Sequence, residues 1–381
     1  MTEKLFYADP FLKEFTATVV KCEEEKGAFA VTLERTAFYP EGGGQSADHG
    51  TLGDANVTDT RDRGGEVVHI CDKPLIVGET VHGKINFARR FDLMQQHSGE
   101  HIVSGIICGK FNCDNVGFHV GKDTVTIDFN AEITADDLRE IERLANGYIQ
   151  EDHPISITYP SPEELAALPY RSKKELTGEV RIVAFPGADC CACCGTHVLS
   201  SGQVGLVKLL SVIKFREGVR IEMLAGNRAI DYFTTVLEQN TRVSQALSAK
   251  PHETAAAVER LQAQIYTLQG RVAALENADF ARKAATYAGQ GNVLLIEDEM
   301  SPDSVRKLCD AILEQCGGRC AVFAGADGNF KYAIGEKDGD LRALVKELNA
   351  ALNGRGGGKP NFAQGSAACT ESEIRAFFSD K

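Results

Sequence analysis

No stretch of the 381 residues approaches the roughly 18 uninterrupted apolar positions that a membrane span needs. A basic leader with an apolar core is missing too, since the chain starts Met1-Thr-Glu-Lys-Leu-Phe-Tyr-Ala-Asp-Pro. From these absences neither a spanning helix nor a secretory signal is expected, and a cytosolic protein is. Positive charge is scarce: 41 Lys plus Arg face 54 Asp plus Glu, a formal net charge of -13. A chain of that sign does not cling to nucleic acid by bulk charge, although a local basic groove would suffice. With 43% hydrophobic and 25% charged residues, disorder and collagen-like repeats are excluded as well. The length leaves room for two or three domains.

What is present starts with 12 cysteines. In a long chain without a signal they read as reduced core residues or metal ligands rather than as a disulfide framework. Cys190, Cys191, Cys193 and Cys194 fall within five residues, whereas the other eight are scattered.

The hydropathy pattern divides the chain into four parts with an α+β character. Residues 1–88 show short β-rich segments such as Phe15-Thr-Ala-Thr-Val-Val, separated by Gly, Asp and Asn clusters, and predict a small barrel or sandwich, of which the barrel is the one expected. Residues 89–226 mix a helix from about Arg89, strands such as Thr124-Val-Thr-Ile-Asp-Phe, and a helix from about Ala135 to Glu151 capped by Thr134. Residues 227–288 form a helical connector. Its Val258, Leu261, Ile265, Leu268, Val272 and Leu275 make a heptad seam that needs a partner, either a preceding helix or a second subunit. Residues 289–381 predict a small α/β domain ending in the glycine-rich loop Gly354 to Gly365.

His97-Ser-Gly-Glu-His101 places two imidazoles at i and i+4 on one helix face, a spacing that chelates one ion. It is not the zinc-protease motif, because the glutamate adjoins the second histidine. Cys193-Cys-Gly-Thr-His197 adds a thiolate and an imidazole, completing a Cys-His-His-His set suited to zinc. The neighbouring cysteines keep the register open, since Cys190 with Cys193, or Cys191 with Cys194, would also make a Cys-x-x-Cys pair. Four protein ligands leave no obvious position for activated water, so zinc is expected to orient the site more than to generate hydroxide.

Gly42-Gly43-Gly44-Gln45 follows Phe38-Tyr-Pro-Glu and offers several backbone N–H donors together with close approach. The later Gly356-Gly-Gly-Lys359 is not a nucleotide-binding Walker loop, because Pro360 occupies the Ser/Thr position.

Taken in order, Phe38 to Gln45, Met94 to His101, Val116 to Gly121, Cys193 to His197 and Gly354 to Gly365 resemble the AlaX-type alanyl-tRNA editing proteins and the editing and C-terminal portions of alanyl-tRNA synthetase. The resemblance implies a hydrolase that deacylates tRNA(Ala) mischarged with serine or glycine. It implies zinc ligands at His97, His101, Cys193 and His197. A hydroxyl-reading threonine falls at Thr36, a catalytic glycine motif at Gly42, Gly43, Gly44 and Gln45, and substrate contacts at Glu100 and His119. The C-terminal part looks like the DHH-associated domain of the synthetase, with Arg355 and Lys359 suited to phosphate. Glu100 stands where many relatives carry glutamine, and Cys194 where the synthetase has glycine. The rival expectation is a non-catalytic tRNA-binding protein with a structural zinc, and a homodimer through the connector or C-terminal domain fits either reading.

Overall fold

The protein, seen in a computed structural model that describes residues 1–172 and 178–379, divides into two compact units, Met1–Gln239 and Asn240–Lys381. Helix α3 (Gly226–Ala246) spans the division. No helix among the described residues is long and apolar enough to cross a membrane.

The first unit opens with six strands: β1 (Glu14–Glu25), β2 (Ala28–Leu33), β3 (Gly50–Leu52), β4 (Ala55–Arg63), β5 (Glu66–Cys71) and β6 (Thr80–Ile85). They close into an antiparallel barrel in the order β1-β2-β5-β4-β3-β6. Strict alternation drives the closure: β6 reads exposed–buried three times over, and Phe15, Val31, Leu33, Leu52 and Val57 fill the inside. Gly64 and Gly65, at φ 69° and 91°, make the two-residue turn between β4 and β5, where both positions need the left-handed region.

Helix α1 (Phe87–Phe111) leaves the barrel with Asn86 as its cap, the side chain accepting from the Arg89 N–H at 3.2 Å. It is buried on more than one face, so Leu93, Met94, Ile102 and Val103 share it with enclosed Arg90, Gln96, His97, Glu100 and His101. Enclosed polar groups require partners. Arg90 is fully buried and forks onto Asp48, Nε lying 2.9 Å from each carboxylate oxygen, while Nη1 and Nη2 donate to the carbonyls of Pro10 and Ala37. That clamp fixes the barrel to α1.

Around α1 stand β7 (Asn115–Val120), β8 (Val125–Phe129), α2 (Ala135–Gln150), and the strands β9 (Ser156–Thr158), β10 (Ile182–Phe185), β11 (Asp189–Ala192), β12 (Val207–Phe215) and β13 (Gly218–Ala225). They form a four-stranded sheet, β12-β13-β8-β7, and a three-stranded one, β9-β10-β11. Thr134 and Asp137 complete a capping box at the start of α2.

The second unit contains α4 (Thr254–Thr286), followed by β14 (Gly291–Glu297), α5 (Pro302–Cys316), β15 (Gly317–Ala326), β16 (Asn329–Glu336), α6 (Arg342–Ala351), β17 (Gly354–Lys359), β18 (Phe362–Ala367) and α7 (Glu371–Phe378). The sheet order is β14-β15-β16-β18-β17, with only the first pair parallel. One core packs Phe280, Val305 and Leu308 against the sheet, and another packs Leu341, Leu348 and Ile374. The heptad positions of α4 are exposed, from 38% at Val258 to 70% at Leu275. The expected glycine-rich loop at 354–365 is instead a β-hairpin, Gly354 pairing with Ala367 and Lys359 with Phe362. Its glycines let two backbones approach where a side chain would collide: a Cβ at Gly356 would lie 2.6 Å from the Gln364 carbonyl oxygen.

Candidate metal centre and cavity

The i, i+4 spacing on α1 stacks the rings of His97 and His101 with centroids 5.2 Å apart. The segment leaving β11 brings Cys193 and His197 to the same place, the His197 ring lying 4.6 Å from His97 and 4.9 Å from His101. One donor atom from each of the four falls within 4.8 Å of the others.

In each histidine the Nδ1 is already engaged. That of His97 lies 2.9 Å from the Gln45 Oε1, that of His101 lies 2.7 Å from the Asp189 carboxylate, and that of His197 lies 3.4 Å from the Ser98 hydroxyl. Gln45 is itself fixed, its Nε2 donating to the Thr196 hydroxyl and its Oε1 accepting from the Thr196 N–H. The Nε2 atoms are therefore left for the interior. That of His97 lies 3.4 Å from the Cys193 sulfur, and that of His197 is buried with no hydrogen-bond partner. Burial alone would raise the Cys193 thiol, but the imidazoles of His97 and His197 facing it and a hydrogen bond from His101 hold it well below the ordinary range. A buried orphan imidazole nitrogen beside a thiolate is the donor chemistry of a zinc site, and the residues present fit that ion. Asp189, forked by Arg171 at 2.7 and 2.8 Å, supplies the outer partner that orients a ligating imidazole. His101, Asp189 and Cys191 form a second, three-membered grouping, but it shares His101 with the larger set.

Beside this set lies a cavity of about 720 Å³, a size suited to a small ligand. Gly43 and Gly44 reach its wall at φ 58° and 80°. Gly42 and Gln45 close the turn by exchanging backbone hydrogen bonds of 3.1 and 3.0 Å, which leaves the Gly43 and Gly44 N–H groups without an acceptor among the described residues. Both positions exclude a side chain, since a Cβ would come 2.9 Å from the Cys194 sulfur at Gly43 and 2.5 Å from Phe118 at Gly44. Glu100 reaches the wall from α1, its Oε1 accepting from Ser104 at 2.8 Å and from Asn115 at 2.5 Å.

Other expected site residues lie elsewhere. Thr36 is fully buried, its hydroxyl 2.8 Å from His69 Nε2 and accepting from the Phe38 N–H at 3.1 Å. Because His69 Nδ1 faces the Val31 carbonyl at 3.0 Å, Nε2 is the acceptor and Thr36 donates to it. These two bonds of that hydroxyl run to protein, and Thr36 is not among the described residues that line the cavity. His119 is exposed on β7 and does not line the cavity; its neighbour Phe118 does, with its ring 4.9 Å from His97. Arg355 and Lys359 lie on the exposed β17 of the second unit, where Lys359 joins Arg342, Lys346 and Asn349 around a depression of about 380 Å³. The sequence reading passed over Arg171, Asp189, Arg181, Tyr7 and Phe118. Only the strand alternation of Val116 to Gly121 carried any signal for them, and it did not say which face was inward.

Three families match parts of the chain: tRNA synthetases class II (A) at residues 5–89, the threonyl and alanyl tRNA synthetase second additional domain at 180–222, and the DHHA1 domain at 288–379. The alanyl-tRNA editing protein AlaX-L of Pyrococcus horikoshii is 30% identical over 401 residues, covering 98% of this chain and 96% of that protein. The chain belongs to the AlaX-type alanyl-tRNA editing proteins. A second family member, the alanyl-tRNA editing protein Aarsd1 of Rattus norvegicus, is 26% identical with 98% and 96% coverage. Outside the AlaX type, the alanine–tRNA ligase of Ignicoccus hospitalis is 31% identical over 95% of this chain, which spans 41% of the ligase. Among solved structures, the C-Ala domain from Aquifex aeolicus alanyl-tRNA synthetase overlaps 23% of the chain at 18% identity, with a TM-score of 0.21 that is too low to speak for a shared fold.

Proposed function

We propose that the protein hydrolyses the ester of tRNA(Ala) mischarged with serine or glycine, releasing the free amino acid and uncharged tRNA. Membership of the editing family supports the substrate class, and one observation carries the site: the orphan His197 Nε2 facing Cys193, His97 and His101 beside two glycine N–H groups without acceptors among the described residues. His97, His101, Cys193 and His197 would hold zinc, which supplies a Lewis-acidic anchor for the polar end of the substrate. The Gly43 and Gly44 N–H groups donate to the ester carbonyl oxygen as charge grows on it, which is where fixed donors lower a barrier most. Gln45 keeps His97 in one tautomer. Glu100, fixed by Ser104 and Asn115, presents its carboxylate towards the substrate ammonium and water. Phe118 closes one side against solvent.

In the same reading the second unit holds tRNA through Arg355 and Lys359, and the exposed seam of α4 pairs two copies of the chain, which a sedimentation mass decides. The deciding experiment for the activity is deacylation of Ser-, Gly- and Ala-tRNA(Ala) side by side. Release of serine and glycine with alanine retained is the expected result; tRNA binding without release of any amino acid would overturn the reading.

A further inference from the structure

The described wall of the cavity carries three cations, Lys4, Arg171 and Arg181. Two have carboxylate partners: Lys4 lies 2.7 Å from Asp62, and Arg171 forks onto Asp189. Arg181 is different. It is 9% exposed, its Nη1 donates to the Cys193 carbonyl at 2.7 Å, and its guanidinium lies 5.1 Å from the centre of the Tyr7 ring. Its Nε is buried without a hydrogen-bond partner. A guanidinium held at one end and backed by an aromatic face has its Nε–Nη2 edge left over, two parallel donors spaced for two oxygens of one anion. A buried donor of this kind is costly to leave unmatched.

We propose that this edge grips the phosphodiester on the 5′ side of the terminal nucleoside of the aminoacylated RNA, with Tyr7 holding the guanidinium flat. The proposal rests on the deacylase reading and adds a subsite to it. The amino acid's own carboxyl is esterified and carries no charge, so the anion closest to the reacting ester is that phosphate, one ribose away. The bond from Arg181 to the Cys193 carbonyl sets the guanidinium at that kind of remove from the candidate metal ligands. In a chain of net charge -13, a local cation with no carboxylate partner among the described residues is where such an anion finds attraction.

The test uses the full chain and a non-hydrolysable amide, 3′-serylamino-3′-deoxyadenosine, prepared with and without a 5′-phosphate. Wild type is expected to bind the phosphorylated form about ten- to a hundredfold more tightly, the range for a hydrogen-bonded charge pair. Arg181→Gln is expected to bind both forms equally, at the wild-type level for the unphosphorylated one, and Arg181→Lys to fall between. Thermal melts check that the variants fold; should Arg181→Gln unfold, Arg181→Lys alone decides, since a point charge without the fork loses part of the preference. A wild type that deacylates Ser-tRNA(Ala) but shows no phosphate preference overturns the Arg181 assignment alone, as does a variant that loses affinity for both analogues equally. A wild type that binds neither analogue and releases no amino acid ends the deacylase reading and this proposal together.

Discussion

Cys193 and Cys194 are chain neighbours with opposite surroundings. Cys193 faces three imidazoles, whereas Cys194 is exposed and its sulfur lies 3.9 Å from the Tyr39 hydroxyl. Metal analysis should therefore find about one zinc per chain in Cys194→Ala and none in Cys193→Ala; the reverse pattern would reject the ligand set. At Thr36 the geometry separates stability from selectivity. Thr36→Val leaves His69 Nε2 and the Phe38 N–H without their bonds, an expected loss of about 1 to 3 kcal/mol in urea unfolding. Its hydrolysis of Ser- and Gly-tRNA(Ala) should change by the same factor, and a loss confined to serine would restore a hydroxyl-reading role. Burial lowers His69 from 6.5 to about 4, only partly offset by its bond to the Val31 carbonyl. The unfolded chain thus takes up the proton first, and the stability carried by the neutral ring is full above pH 6.5 and lost as the pH falls towards 4. The loss is on the order of 3 kcal/mol. Unfolding at about pH 7 and about pH 5 should show a smaller difference in His69→Gln than in wild type; equal differences would contradict it.

The Asp48–Arg90 clamp joins a barrel loop to the first turn of α1 with both side chains fully buried. Removing one partner strands a buried charge, so Asp48→Ala should cost about 3 to 5 kcal/mol in denaturant titration. A cost under about 1 kcal/mol would mean that the carbonyls of Pro10 and Ala37 suffice for Arg90. Helices such as α2 and α4 were legible in the sequence because their causes are local: Thr134 and Asp137 lie three residues apart, and the α4 seam repeats every seven. The hairpin at 354–367 was not, because glycine carries no alternation and the strand partners are chosen by what pairs across the sheet. The His119 and Phe118 exchange has a similar origin, since neighbouring strand residues point to opposite faces and only packing names the inner one. That His97, His101, Cys193 and His197 come together was readable because two short motifs each supplied half. Arg171 and Asp189, 18 residues apart with no periodic mark, were not.

Across the whole molecule, RNA affinity and chemistry are expected to separate. Arg355→Glu with Lys359→Glu should weaken tRNA binding and lower its salt dependence by roughly one unit of slope per lost phosphate contact, leaving the maximal hydrolysis rate unchanged. A binding curve that does not move would remove β17 from the RNA surface. The candidate metal centre has a further property that is topological. Gln45 meets His97 across 52 positions of chain, Asp189 meets His101 across 88, and Cys193 meets His97 across 96. No local element can assemble that constellation, because each contact closes a long loop and carries its entropy. During refolding, helix signal should therefore recover before the site does, and during gentle heating the site should come apart while the barrel and helices still stand. The candidate centre is thus expected to form late and melt early in an otherwise ordinary fold.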